Sequence, residues 1–201
     1  MESRGQSESA SETISHRAGF VALVGKPNVG KSTLMNALLQ QRLSIVTPRP
    51  QTTRQRVLGI LTKDTSQILF LDTPGLLEPG YRLQEYMLQS AIHTLRDADT
   101  AVAIIDATRF AYDLDDRVVN FLQQSRGPVI LAINKIDKTP KASLLPLIGK
   151  ANDYFPFAEI LQRCPMAIHL IRRKILLIIG FKSWRDMVIL GRFLLSRRHF
   201  L

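Results

Sequence analysis

The chain has 201 residues, 45% of them hydrophobic, with 27 Lys+Arg against 17 Asp+Glu, a net charge of +10 and a single Cys. That length and apolar content fit one globular domain with a full core, and one Cys excludes an internal disulfide and suits a reducing cytoplasm. Residues 1–17 are rich in Ser, Glu and Gly and lack an apolar run, so they are no signal peptide and are expected to be disordered.

The first apolar run, Phe20-Val-Ala-Leu-Val24, predicts a strand over 20–25. Gly25-Lys26-Pro27-Asn28-Val29-Gly30-Lys31-Ser32 follows at once, a complete GxxxxGK[ST] pattern, and Thr33 onward is apolar at helical spacing, predicting a helix over 31–40. Strand, glycine loop and helix together form a phosphate cradle, in which backbone N–H groups converge on a nucleotide phosphate. Lys31 can reach the β- and γ-phosphates and the Ser32 hydroxyl can ligate Mg²⁺. A chance glycine-rich turn is the plain alternative, and the flanking strand and helix disfavour it.

Residues 42–56 contain two prolines and four arginines and no periodicity. A first switch loop belongs here, with Thr53, or its neighbour Thr52, as the hydroxyl for Mg²⁺ and γ-phosphate. Two strands, 57–62 and 66–71, are separated by a short polar turn and read as an antiparallel hairpin. The second ends in Asp72-Thr73-Pro74-Gly75, where Asp72 can hold Mg²⁺ through water and the Gly75 N–H can sense the γ-phosphate. Leu76 follows, and a leucine cannot orient water by hydrogen bonding, so slow intrinsic hydrolysis stimulated by a partner or a cation is expected.

A second switch is expected over 73–85, then a helix over 86–95, a strand over 100–106, a helix over 114–125, a strand over 128–133, a helix over 141–152 and a weak strand near 157–161. Asp113, Asp115 and Asp116 read as a charge group at a helix start rather than a metal cluster. His93 reads as an ordinary helix-surface or packing residue. The strand at 128–133 runs into Asn134-Lys135-Ile136-Asp137. A carboxylate at Asp137 can accept from the N1–H and exocyclic amine of guanine, whereas adenine would leave it unpaired. The Lys135 stem can lie over the phosphate loop and the base. GTP or GDP is therefore expected over ATP.

Alternating strands and helices, with continuously apolar strands, predict a three-layer α/β P-loop NTPase fold with a mostly parallel sheet and one antiparallel edge hairpin. The ligand belongs at the carboxyl ends of the strands, where all three motifs lie.

The phosphate loop, Thr47-Pro-Arg-Pro-Gln-Thr-Thr-Arg54, Asp72-Thr-Pro-Gly75 and Asn134-Lys-Ile-Asp137 together resemble the Era-like GTPases of bacteria, over roughly residues 18–160. The resemblance implies a cytoplasmic GTPase that uses Mg²⁺, hydrolyses GTP and assists assembly of the small ribosomal subunit. It further implies a C-terminal KH domain that binds the 3′ end of 16S ribosomal RNA. In related potassium-activated enzymes an Asn in the place of Asn28 helps hold K⁺, and the hydrophobic residue after the DxxG glycine matches Leu76.

Departure from the pattern begins after Ile160. Cys164 and Pro165 fall where a Ser-Ala pair would contact guanine O6, and a proline has no N–H to donate. No Gly-x-x-Gly loop of a KH domain follows. Residues 161–201 hold nine Lys+Arg and one acidic residue (+8), against 18 and 16 (+2) in residues 1–160. Such a tail reads as a frameshifted or joined segment, leaving a truncated nucleotide-binding fragment with weak turnover as the alternative function. A tail with this charge could contact RNA or the inner-membrane surface nonspecifically, but its apolar run is far short of the roughly 20 residues that span a bilayer. The sixth strand is expected to be missing or poorly specified, leaving an edge of the core uncovered.

Overall fold

A computed structural model describes residues 17–43, 57–63, 66–76, 80–162 and, further on, Ile171, Lys174, Ile175 and Leu177. In chain order come β1 (Arg17–Val24), α1 (Lys31–Leu39), β2 (Val57–Lys63), β3 (Ser66–Asp72), α2 (Arg82–Asp97), β4 (Thr100–Asp106), α3 (Phe110–Asp113), α4 (Asp116–Leu122), β5 (Val129–Asn134), α5 (Lys141–Tyr154) and β6 (Glu159–Gln162). Single 3-10 turns, Ala107–Arg109 and Ile136–Lys138, follow β4 and β5.

The strands form one sheet in the order β2-β3-β1-β4-β5-β6. Only the β2–β3 pair is antiparallel; β1–β3, β1–β4, β4–β5 and β5–β6 are parallel. Parallel neighbours require a crossover, and helices supply it between β3 and β1's other neighbour β4, and again before β5 and β6.

Side chains alternate between the faces and divide the core in two. Ala22, Val24, Ala103, Ile105, Leu131 and Ile133 face the cluster built with α2, α4 and α5 through Ala91, Leu95, Phe121, Leu122 and Ala151. Val21, Leu23, Val102, Ile104, Ile130 and Ala132 face Leu34, Met35 and Leu38 of α1. With both faces covered, the central strands carry long apolar runs, and β4 is buried at every position. Toward the β2 edge this cover thins. Ile60, Leu69 and Phe20 stand side by side across β2, β3 and β1, and Ile60 and Phe20 are exposed.

Several boundaries differ from the sequence reading. Arg17, assigned to the N-terminal segment, already pairs with Ser66 in β1. The remaining residues of that segment lie outside the described residues. α2 begins at Arg82, inside the expected second switch. Its first turn, Arg82-Leu-Gln-Glu85, has no apolar period to reveal it, yet the Gln84 side chain accepts the Gly80 N–H at 2.7 Å and Glu85 suits the positive end of the helix. The helix expected over 114–125 is the shorter α4, and a separate turn of helix, α3, precedes it. The Asp115 carboxylate accepts the Val118 N–H at 3.1 Å and caps α4, so Leu114 interrupts the helical path.

The expected uncovered edge is not observed. β6 pairs in parallel with β5 from Ile130↔Glu159 to Ile133↔Gln162. Leu161, Ile171 and Ile175 are buried in the α1-side cluster, and Lys174 pairs with Glu159 at 3.0 Å. Ile171 and Ile175 lie four residues apart, on one helical face. The basic tail thus contributes to the core despite its foreign composition. Among the described residues no helix is long and apolar enough to cross a membrane.

Truncating a fully buried isoleucine removes its transfer free energy and leaves a cavity. Ile175→Ala should lower the unfolding free energy by about 2–4 kcal/mol in urea titration, and a chain ending at Ile160 should lose more. Equal unfolding midpoints for the three proteins would exclude a core role for the tail.

Candidate nucleotide site

The loop between β1 and α1 is built on left-handed backbone. Gly25, Asn28 and Gly30 have φ of 147°, 62° and 105°. Gly25 also has no room for a side chain, since a Cβ there would stand 2.3 Å from the Ile104 carbonyl oxygen. Such alternation turns successive N–H groups toward one centre, a concavity for anions. Gly30 sits at the α1 start, so the helix dipole adds to it.

Lys31 is buried, and its ammonium donates to the carbonyls of Gly25 and Lys26, both at 3.0 Å. Burial pushes its pKa down to about 8, opposed by the negative charges of Asp72 and Asp113. Ser32 donates from Oγ to Asp72 Oδ2 at 2.8 Å. Two oxygen donors of this kind suit a hard divalent cation. Thr33 is exposed on the first turn of α1.

The turn after β3 packs directly on this loop. Thr73 is buried and donates to the Leu23 carbonyl at 2.7 Å. Pro74 is buried, and a Cβ on Gly75 would lie 2.8–3.0 Å from Pro27. The Leu76 N–H donates to the Gly25 carbonyl at 3.0 Å, and its side chain is buried in the α2-side core. Leu76 is therefore a packing residue here.

The end of β5 approaches from the other side. Asn134 Nδ2 donates to the Val29 carbonyl at 2.7 Å, and Lys135 Nζ to the Asn28 carbonyl at 2.9 Å. Lys135 is itself left-handed, with φ of 57°. Asp137 follows, exposed in the 3-10 turn. The phosphate-loop, DxxG and NKxD motifs therefore meet at the carboxyl ends of β1, β3 and β5. Thr53 and Thr52, and the Cys164-Pro165 pair, lie outside the described residues.

Sequence reasoning passed over one acid. Asp106 ends β4 and is buried; Lys135 Nζ lies 2.7 Å from its Oδ2, and Thr108 donates to Oδ1 from its N–H and hydroxyl. Burial raises this carboxyl, but the Lys135 and Thr108 hydrogen bonds outweigh it and hold the pKa below its ordinary value. An acid closing a wholly apolar strand, beside two motifs at the same sheet end, was the available signal. Asp115 and Asp116 do sit at a helix start. Asp113 differs from them: fully buried, it accepts the Asp106 N–H at 2.9 Å, and burial pushes its carboxyl up.

The family profile described as 50S ribosome-binding GTPase matches residues 20–135. GTPase Era of Thermoanaerobacter sp. (strain X514) is 41% identical over 147 residues, which is 73% of this chain and 49% of the relative. This chain belongs to the Era-like GTPase family. GTPase Era of Lactobacillus delbrueckii subsp. bulgaricus is 43% identical over 150 residues, 75% of this chain and 50% of the relative. Among solved structures, Era in complex with MgGDPNP and nucleotides 1506–1542 of 16S ribosomal RNA superposes with a TM-score of 0.75 at 40% identity, covering 81% of this chain and 57% of that one. Aquifex aeolicus Era bound to GDP·AlF4⁻ gives 0.75 at 39% identity, with 83% and 58% covered. The fold is thus the P-loop GTPase fold expected from the motifs, and this Era-like chain spans about half the length of the curated relatives it matches.

Gly25 and Gly149 offer opposite outcomes for one substitution. Gly25→Ala should destabilise by several kcal/mol, because left-handed strain adds to the clash with Ile104. Gly149, within α5, has nothing within 4 Å of a Cβ, so Gly149→Ala should stabilise by about 0.5–1 kcal/mol. Chemical denaturation of both variants measures the difference.

Proposed function

We propose that this chain binds GTP with Mg²⁺ and hydrolyses it to GDP and phosphate, as the nucleotide module of an Era-like protein acting in the cytoplasm on the small ribosomal subunit. What supports this reading most is the pair of bonds from Asn134 and Lys135 to the carbonyls of Val29 and Asn28. They make the phosphate loop and the NKxD motif one site, so a nucleotide with its phosphates at Gly25–Ser32 carries its base toward Asp137.

In this reading the backbone N–H groups of Gly25 to Thr33 receive the β-phosphate, and Lys31 offers a point charge to the β- and γ-phosphates. Ser32 and Asp72, with Thr53 from the first switch, would hold Mg²⁺, which when bound neutralises charge developing on the phosphate oxygens. Water attacks the γ-phosphorus in line, the bond to the β–γ bridging oxygen breaks, and GDP and phosphate leave. Thr73 and Pro74 brace the turn on which Gly75 swings with the γ-phosphate. Leu76, packed in the core, leaves no side chain beside Gly75 to orient water. Asn28 is the candidate for a K⁺ ion that would supply the missing positive charge.

Ribosomal RNA is the proposed partner, as the crystallised relative's complex with 16S ribosomal RNA suggests. Contacts made by the +8 segment over 161–201 should be salt-sensitive and nonspecific. A second reading is a nucleotide-binding module with little turnover, supported by Leu76, whose side chain is packed in the core and cannot orient the attacking water.

Titration with labelled GDP, GTP and ATP separates the nucleotide classes. Guanine nucleotides should bind at least 100-fold more tightly than ATP, and Lys31→Ala should abolish tight binding while circular dichroism stays unchanged. Comparable ATP affinity, or unaltered GTP binding in that variant, would overturn the site. Hydrolysis should run faster in K⁺ than in Na⁺ at matched ionic strength, and equal phosphate-release rates would remove the cation from the mechanism.

A further inference from the structure

Lys26 stands among the nucleotide-binding residues by sequence, yet its side chain is committed elsewhere. Its ammonium pairs with Asp115 Oδ2 at 2.6 Å, donates to the Tyr112 carbonyl and lies 3.9 Å from the centre of the Tyr112 ring. The lysine is only 8% exposed. Asp115 is shared, since it also caps α4. Burial raises its carboxyl, but the Lys26 bond, the Val118 N–H and the charges of Lys26 and Arg117 hold it below its ordinary value.

The same turn meets the next two loop residues. Arg109 lies 5.4 Å from the Tyr112 ring, is held by Asp113 at 3.5 Å, and points Nη2 at the Pro27 carbonyl, also at 3.5 Å. Asn28 is reached through Lys135, which Asp106 anchors. Residues 109–115 thus touch Lys26 and Pro27 directly, and Asp106 bears on Asn28 through Lys135, along the stretch between the left-handed Gly25 and Gly30. Asn28, a non-glycine residue with φ of 62°, holds its left-handed shape only where its surroundings over-determine it.

We propose that Lys26 is a positioning residue, a latch that fixes the phosphate loop against the 109–115 turn and thereby sets the rate of nucleotide release. This rests on the nucleotide site proposed above. Lys26 acts through the loop backbone, leaving Lys31 as the lysine that meets phosphate. Opening the latch removes an ion pair with one buried partner and a cation–π contact at once, and the loop then samples shapes whose N–H groups no longer converge. Tyr112, with its ring exposed, and Asp115 form the outer half of the latch.

The test uses the full chain loaded with a fluorescent GDP analogue, chased by excess GDP below the melting temperature of every variant. Lys26→Met keeps the stem and removes the charge. Asp115→Asn removes the charge and keeps a good helix cap. Each should speed release on the order of tenfold, the double variant no more than either single one, and Lys26→Arg should restore slow release. A merely structural lysine would lower the melting temperature and leave release from the folded protein unchanged. That result, or additive effects in the double variant, overturns the latch. The parent chain and Lys31→Ala separate this from the underlying reading: if the parent binds no GDP, the nucleotide site itself fails and the latch with it.

Discussion

The close approach of Gly25 to the Ile104 carbonyl is the constraint on which the rest of the site depends. With no side chain to hold them apart, the end of β1 lies against β4, and the loop begins its turn inside the sheet's own thickness. The Gly25 carbonyl then accepts from two directions, from Lys31 Nζ and from the Leu76 N–H. One peptide group thus joins the helix that follows the loop to the turn that follows β3. A methyl group at this position would push all three apart.

Around that backbone hinge the charges form a closed set. Lysines 26, 31 and 135 face Asp115, Asp72 and Asp106, with Asp113 and Arg109 between them. Burial costs each of these ions hydration, and pairing offsets part of the cost. Pairs whose partners come from distant segments tie the end of β4, the end of β5 and the loop into one unit. Lys26 and Asp115 are 89 residues apart.

That distance explains which parts of the site were legible in the sequence. The phosphate loop, Asp72–Gly75 and Asn134–Asp137 were readable because each depends on local backbone geometry at the end of an apolar strand. Asp106 and Tyr112 were not, because their partners carry no periodicity in common with them. Most of the sheet was readable for the same local reason, since uninterrupted apolar runs such as Ala101–Ile105 describe strands buried on both faces. The start of α2 was hidden by a polar first turn. The covered edge was hidden because the basic composition of the tail masks two apolar residues at helical spacing, Ile171 and Ile175, that bury against the sheet.

The late position of those two isoleucines governs how the molecule can be made. Val21, Leu23 and α1 are made before β6 and before the isoleucines that complete the same cluster. At about 5–20 residues per second, the growing chain spends about a second with Gln162 polymerised and Ile175 still to come. Through that interval Ile130, Ala132 and Leu161 lack their final neighbours on the α1 side of the sheet. Core closure therefore waits on residues made well after the nucleotide loop that the sheet supports.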